Sequence, residues 1–284
     1  MKPHKIVSKW LIYIVLAALA IVSLYPLLYT ISNSFMGAAE YSHYYDHLSK
    51  GITNDSPFHL IPDWITLSGY WNVFLSRPDY LMKFWISLIL SLSILLGQLI
   101  VAVLGGFAFA RYRFPGRNIL FFIIILLMML PYQVTLVPNY IVLDRMGLIN
   151  HYTALILPGM FSAFGVFLMR QVMLILPKSI FEAARIDGAN SLRLLWNICL
   201  PNCKPGLVAL ILLSFADSWN MMEQPLAFLK DFYKYPMSLF LMNVNTSDPS
   251  LGFTCGVLSV LPLLLLFLRF KDEMIQGIEY TGVK

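Results

Sequence analysis

Glu182-Ala183-Ala184-Arg185-Ile186-Asp187-Gly188-Ala189, followed by Ile198-Cys199-Leu200-Pro201, is a short polar, basic island between two long apolar runs. Its residues spell out local structure. Ser179-Ile180-Phe181-Glu182 fits the S-x-x-E capping box, in which the serine side chain accepts from the glutamate N–H and the carboxylate bonds back. Pro177 ends the apolar run before it, and a short helix is predicted through about Ile186. Gly188 suits the left-handed turn that stops such a helix. Asn190 or Ser191 can cap a second short helix. There Leu192, Leu195, Trp196 and Cys199 fall at i, i+3, i+4 and i+7 and form one apolar stripe. Pro201 closes that helix, and Ala183 and Ala184 leave a low surface that another protein can approach closely. Two readings stay open on spacing alone: a docking element, or an interfacial helix lying on lipid headgroups.

Outward from this island the chain is a membrane protein. Of its 284 residues 58% are hydrophobic and 12% charged, about half the charge of a soluble domain. A spanning helix needs about 20 mainly apolar residues, and six such runs are predicted: 10–31, 84–110, 119–143, 153–176, 206–229 and 252–270. The first is too long for a signal-peptide core and lacks a convincing cleavage site, so it is expected to stay as the first helix. The organisation expected is a tail of residues 1–9, a six-span domain over 10–270 and a tail of 271–284. A long loop (about 33–83) follows the first span, and the island occupies about 177–204 before the fifth. Pro26, Gly105, Gly106, Pro131, Pro138, Pro158, Gly165 and Pro262 interrupt the runs. Such breakers are tolerated where neighbouring helices satisfy the freed backbone; ordinary close packing and deformable, rocking helices both remain open.

Charge sets the expected orientation. Lys2, Lys5 and Lys9 precede the first span, and Arg111, Arg113 and Arg117 lie between the second and third, without acids. Around the island Arg170, Lys178, Arg185, Arg193 and Lys204 outnumber Glu182 and Asp187. In the long loop Glu40, Asp46, Asp55, Asp63 and Asp79 outnumber Lys50, Arg77 and Lys83. The positive-inside rule therefore puts both termini and the island in the cytoplasm.

Other chemistries fit poorly. The basic residues flank apolar spans rather than one soluble face, which excludes nucleic-acid binding. Cys199 and Cys203 are four apart with no further ligand beside them and read, with Cys255, as apolar filler. His43 and His47 are also four apart and read as a solvated pair outside, with His59 and His151; His4 reads as inside. No G-x-x-x-x-G-K-[ST] phosphate loop is present, so energy for active transport must come from a partner or an ion gradient. Asp217 and Glu223 are acids in the fifth run. Asp217 is expected about 11 residues in, roughly 16 Å, near the midplane, where charge is costly and usually faces a cavity or a partner. With Ser218, Trp219, Asn220 and Gln224 they make a polar, aromatic patch suited to sugar hydroxyls. A proton- or sodium-coupled carrier using Asp217 and Glu223 is the alternative.

Glu182-Ala183-Ala184, Asp187-Gly188-Ala189, Ile198, Leu200 and Pro201 together resemble the EAA loop of binding-protein-dependent ABC importer permeases. The resemblance extends along nearly the whole chain. Ala108-Phe109-Ala110-Arg111-Tyr112-Arg113-Phe114-Pro115-Gly116, Leu130-Pro131, Pro138, Tyr140, Gly147-Leu148, Trp219-Asn220 and Pro225-Leu226 are similar to the carbohydrate subfamily, as is the tail with Gly277 and Thr281-Gly282-Val283-Lys284. The nearest subgroup is the six-span, maltose-type partner subunit. Met221, Met222 and Glu223 depart from the usual pattern of the fifth span, and Thr281 stands where alanine is commoner.

The resemblance implies an all-α type I importer fold in a bacterial plasma membrane. It implies a heterodimer with a second homologous permease, two cytoplasmic ATP-binding subunits and an extracellular solute-binding protein. ATP and magnesium would sit on the partner ATPases, and this chain would be a transport subunit without a cofactor of its own. Glu182, Ala183, Ala184, Asp187, Gly188 and Ala189 would couple to an ATPase cleft. Asp217, Ser218, Trp219, Asn220, Glu223 and Gln224 would line the pathway or bond to the partner permease.

Overall fold

A computed structural model describes residues 3–49, 60–76, 79–247 and 249–282. Lys2, Lys50, Asp55, His59, Arg77, Val283 and Lys284 lie outside the described residues. Among the described residues the chain is all helix and turn, with no strand. It divides into two units, residues 1–82 with 240–260, and residues 83–239 with 261–284.

The first unit opens with α1 (Pro3–Asn33), which runs unbroken through Pro26. Its Leu11–Asn33 stretch is apolar on every face, and its membrane-length window buries nothing against the rest of the chain; such a helix belongs in lipid. At its end the buried Ser34 carbonyl accepts from Thr254 Oγ1 at 3.2 Å, and the Ser34 and Tyr70 hydroxyls bond at 2.8 Å. Helix α2 (Ala38–Ser49) follows, so part of the expected outer loop is helical. The Tyr44 hydroxyl donates to Asp63 at 2.7 Å, and Glu40 accepts from the Asp63 N–H at 2.6 Å. A short helix, α3 (Ser68–Trp71), passes into a π-wound turn (Asn72–Ser76).

Helix α4 (Asp79–Arg111) is the spine of the second unit. Half of its membrane-length window is buried. It begins five residues earlier than the predicted span, so Asp79 and Lys83 are helical rather than part of the loop. Lys83 is 1% exposed, and its ammonium donates to the carbonyls of Phe232 and Tyr233, both at 2.7 Å. Two donors onto two carbonyls make its burial affordable.

The predicted third span is two helices, α5 (Arg117–Met129) and α6 (Tyr132–Arg145), bent by 104° at Leu130-Pro131. Proline has no N–H and holds the preceding residue extended, and Leu130 is extended at φ −72°, ψ 128°. The fourth, predicted as one helix, is α7 (Thr153–Gly159) and α8 (Ala163–Ile175), parted at Met160–Ser162, where the Ser162 hydroxyl caps the second by accepting from the Gly165 N–H at 3.0 Å. Among the described residues four stretches are long and apolar enough to cross a membrane, or up to six if each bent pair is one span.

Helix α9 (Lys178–Ile186) and α10 (Ser191–Arg193) carry the polar island. A π-wound segment (Leu194–Cys199) leads into α11 (Leu200–Asn202), and an 83° bend at Cys203 into α12 (Lys204–Trp219). The predicted fifth span, continuous to Leu229, therefore ends at Trp219. Helix α13 (Glu223–Phe228) is separate, and α14 (Met237–Ser247) and α15 (Pro249–Gly282) complete the chain.

Close packing of α4 on α8 holds this unit together. A Cβ added at Gly106 would lie 2.6 Å from Met169 Cβ and 2.9 Å from the Arg170 nitrogen, so only glycine lets the two backbones meet there. Around that contact Ala102, Val103, Phe107, Met169, Met173, Phe181, Leu194, Leu195, Cys199, Cys203 and Leu210 form one apolar core. The polar island is thus seated on the bundle by its own apolar residues.

Candidate functional site

Two sites emerge in the second unit, the helical island and a polar cleft. The island is a helix–turn–helix. Helix α9 starts directly after Pro177, whose φ of −60° already suits a helix start. The expected capping box is not formed: Ser179 is the second helical residue and no side chain caps the end. At the other end the Ala189 N–H donates to the Ala184 carbonyl at 2.9 Å, and the Gly188 N–H to the Arg185 carbonyl at 3.0 Å. With Gly188 at φ +80°, this is the Schellman stop that the glycine predicted. Asn190 then caps the next helix, its Oδ1 accepting from the Arg193 N–H at 2.9 Å.

The predicted stripe of that second helix is only half right. Leu195 and Cys199 are buried, but Leu192 and Trp196 are more than 60% exposed, and Leu194 is buried instead. The cause is the π winding over Leu194–Cys199. A π turn takes more residues than an α turn, so positions five apart, Leu194 and Cys199, come to share a face.

One face of α9 is rooted and the other is free. Phe181 is its one buried side chain. The Arg111 guanidinium, at the last residue of α4, lies 3.8 Å from the centre of the Phe181 ring. The same guanidinium donates to the carbonyl of Met173 and, at 3.1 Å, to that of Leu176. Those carbonyls end α8 and have no partner within it. One arginine therefore ties together the ends of α4 and α8 and the root of α9. Glu182, Ala183, Arg185, Ile186, Asp187 and Gly188 remain exposed, with Ala184 and Ala189 half-buried. Ile186 is 86% exposed, an apolar knob beside the flat alanine surface. The sequence reading missed Arg111, Phe181 and Ile186; the signal for Arg111 was a basic residue following an unbroken apolar run, and for Phe181 a lone aromatic in a polar helix.

The second site is a cleft of about 1020 Å³ whose polar lining is Gln98, Tyr132, Thr135, Asn139, Ser162, Asp217, Ser218, Asn220, Glu223 and Gln224. These polar side chains come from α4, α6, α12 and α13, with Ser162 and Asn220 at the breaks near 160–162 and 220–222. Asp217 stands in the last turn of α12 and not halfway along a continuous helix. Glu223 begins α13, and its two carboxylate oxygens accept from Gln133 Nε2 at 2.9 and 3.2 Å. Asn220 donates to the Ala216 carbonyl at 2.8 Å, and Gln224 bonds to the Tyr132 hydroxyl.

Two residues of the predicted patch are spoken for. Trp219 is buried, stacked on Phe215 at 5.6 Å and edge-on to Phe84 at 5.6 Å, and does not reach the cleft. The Ser218 hydroxyl bonds to the Ser214 carbonyl at 2.7 Å, within its own helix. Tyr132, Thr135 and Asn139 were not expected here, because they reach the cleft only through the break between α5 and α6, and neither was Gln98 of α4.

Elsewhere in this unit, Asn150 ties two turns together. Its Oδ1 accepts from the N–H groups of Lys230 and Asp231 at 3.0 and 3.2 Å, and its Nδ2 donates to Asp231 at 3.0 Å. Lys234 bridges to Asp231 at 3.1 Å. These bonds, Asn150 first, hold the Asp231 carboxyl below the usual carboxylate range.

The described residues define an all-helical membrane protein, with four to six stretches of membrane length and a helix–turn–helix bare on one face. A chain of a bacterial ABC transporter involved in the import of the acidic polysaccharide alginate superposes with a TM-score of 0.81 at 23% identity, over 96% of this chain and 98% of that one. Residues 102–278 match the binding-protein-dependent transport system inner membrane component family, and the chain belongs to that family. It is 31% identical over 281 residues to the arabinooligosaccharides transport system permease protein AraQ of Halalkalibacterium halodurans, covering 98% of this chain and 97% of that protein. It is 38% identical over 181 residues to the sn-glycerol-3-phosphate transport system permease protein UgpE of Yersinia enterocolitica, over 62% of this chain and 64% of that one.

Proposed function

We propose that the chain is one of two permease subunits of an ATP-driven importer for a sugar or oligosaccharide, with six crossings and both termini in the cytoplasm. The observation that carries this is the seating of α9. Its buried Phe181 and the Arg111 tie fix it to the ends of α4 and α8, while Glu182, Ala183, Asp187 and Gly188 stay exposed. A helix held on one side and bare on the other transmits a push. An ATP-binding subunit would receive it in a cleft, Ala183 and Ala184 allowing close approach and Glu182 and Asp187 supplying polar contacts. Closure of two such subunits, with ATP and magnesium bound to them, would move α9, and the rigid tie would rock α4 and α8 between inward- and outward-facing states. A second homologous permease would complete the pathway, and an extracellular solute-binding protein would deliver cargo.

The test is Gly188→Asp in the importer purified with its partners. The protein should reach the membrane, and stimulation of ATP hydrolysis by loaded binding protein should be lost. Normal stimulation would sink the coupling role. A carrier using Asp217 and Glu223 makes the opposite prediction: uptake that persists without any ATPase and stops with an ionophore.

A further inference from the structure

The cleft has a chemical bias. Its wall carries two carboxylates, Asp217 and Glu223, and none of its lining residues is Lys, Arg or His. Glu223 is held by a neutral amide, that of Gln133, rather than by a cation. Asp217 has no hydrogen-bond or ion-pair partner among the described residues. Gln98 is 8% exposed; one N–H of its Nε2 donates to the Gly159 carbonyl at 2.7 Å. Asn220 and Gln224 each have one amide N–H engaged, on the Ala216 carbonyl and the Tyr132 hydroxyl, and keep a second N–H and a carbonyl oxygen. The neutral amides and hydroxyls of this wall can both donate and accept, so what biases it is charge: two carboxylates, with no cation among the described lining residues. Phe161 and Tyr132 add ring surface to the same lining.

Resting on the reading of the chain as a sugar permease, we infer that this cleft takes neutral or amine-bearing saccharides and rejects those carrying a carboxylate or phosphate. Hydroxyls bond to the amides and hydroxyls, and ammonium groups are drawn to the carboxylates. A carboxylate brings negative charge beside two carboxylates with no cation to offset it. At the separations such a cleft allows, one like-charge contact disfavours binding by roughly tenfold or more.

The test uses the importer co-purified with its own partner subunits in detergent, without binding protein. Saturation-transfer NMR would read contact with cellobiose, with cellobiouronic acid and with the corresponding glucosamine dimer. The expected order is glucosamine dimer, then cellobiose, with the uronate weaker by about tenfold. Raising salt from about 50 to about 500 mM, which shortens the screening length, should narrow the gap. Asp217→Asn with Glu223→Gln should close it; co-purification with the partners shows that the variant is assembled. Uronate contact equal to that of cellobiose at low salt would overturn the inference, as would salt-independence of the gap. Silence from all three probes, when the same importer reconstituted into liposomes with its binding protein still drives ATP-dependent saccharide uptake, would overturn the inference and leave the importer reading standing. Absence of ATP-dependent uptake of any saccharide would remove both.

Discussion

Arg111→Met is the most direct probe of how the exposed helix is rooted. Methionine keeps a long aliphatic stem and loses the guanidinium. Gone with it are the hydrogen bonds to the carbonyls of Met173 and Leu176 and the contact with the Phe181 ring at 3.8 Å. A hydrogen bond to a charged group contributes about 1.5–3 kcal/mol and a partly exposed cation–π contact about 0.5–2 kcal/mol. Water replaces some of this at the carbonyls, because Arg111 is only half-buried. A net local loss of about 3 kcal/mol follows, near a hundredfold in the opening equilibrium at 1.4 kcal/mol per factor of ten. Hydrogen exchange by mass spectrometry in nanodiscs reads that opening directly. Protection of the amides in 182–189 should fall about a hundredfold, while those in the middle of α4 hold. Arg111→Lys should fall between, since an ammonium keeps the charge but lacks the planar fork that meets the two carbonyls while its face lies on the Phe181 ring. Combining Arg111→Met with Phe181→Leu should be non-additive by at least about 0.5 kcal/mol. Additivity, or unchanged protection in 182–189, would refute the tie.

Gly106→Ala should cost about 1–3 kcal/mol by overpacking, because its methyl would meet backbone and Cβ atoms rather than a movable side-chain end; a thermal midpoint within a degree of the parent would count against this. At Gly188 the surroundings are open, with nothing within 4 Å of an added Cβ, so φ alone decides. Gly188→Asn should fold nearly as well as the parent and Gly188→Val distinctly worse, compared by detergent thermal unfolding; equal losses would show that φ is not the constraint. The Asp231 carboxyl, depressed first by Asn150 and then by Lys234, adds order to the 230–234 turn above its unfolded pKa. That order is lost as pH falls through its lower folded value. Asn150→Ala should move the acid loss of amide protection in that turn to higher pH, and an unmoved midpoint would refute the assignment.

What the sequence shows clearly is whatever depends on neighbours along the chain. Gly188 announced its left-handed stop and Asn190 its cap, because both act within four residues. The apolar runs announced membrane helices, because burial in lipid asks only for length and composition. What failed needed information from elsewhere in the fold. The stripe Leu192, Leu195, Trp196, Cys199 assumed the α period, and the packing of Leu194, Leu195 and Cys199 into the core goes with a π winding that no local pattern marks. The capping box failed because the helix starts at Lys178, after Pro177, two residues earlier than Ser179 could cap it. Trp219 looked like a sugar-stacking ring, yet Phe84, 135 residues away in sequence, meets it edge-on and Phe215, 4 away, stacks on it. The cleft is the extreme case. Its polar wall draws on α4, α6, α12 and α13 at breaks whose angles, 104° at Leu130-Pro131 among them, decide which side chains meet. Proline marks where a helix can bend, but the direction of the bend is set by packing on a neighbour, and only that direction brings Gln133 to Glu223.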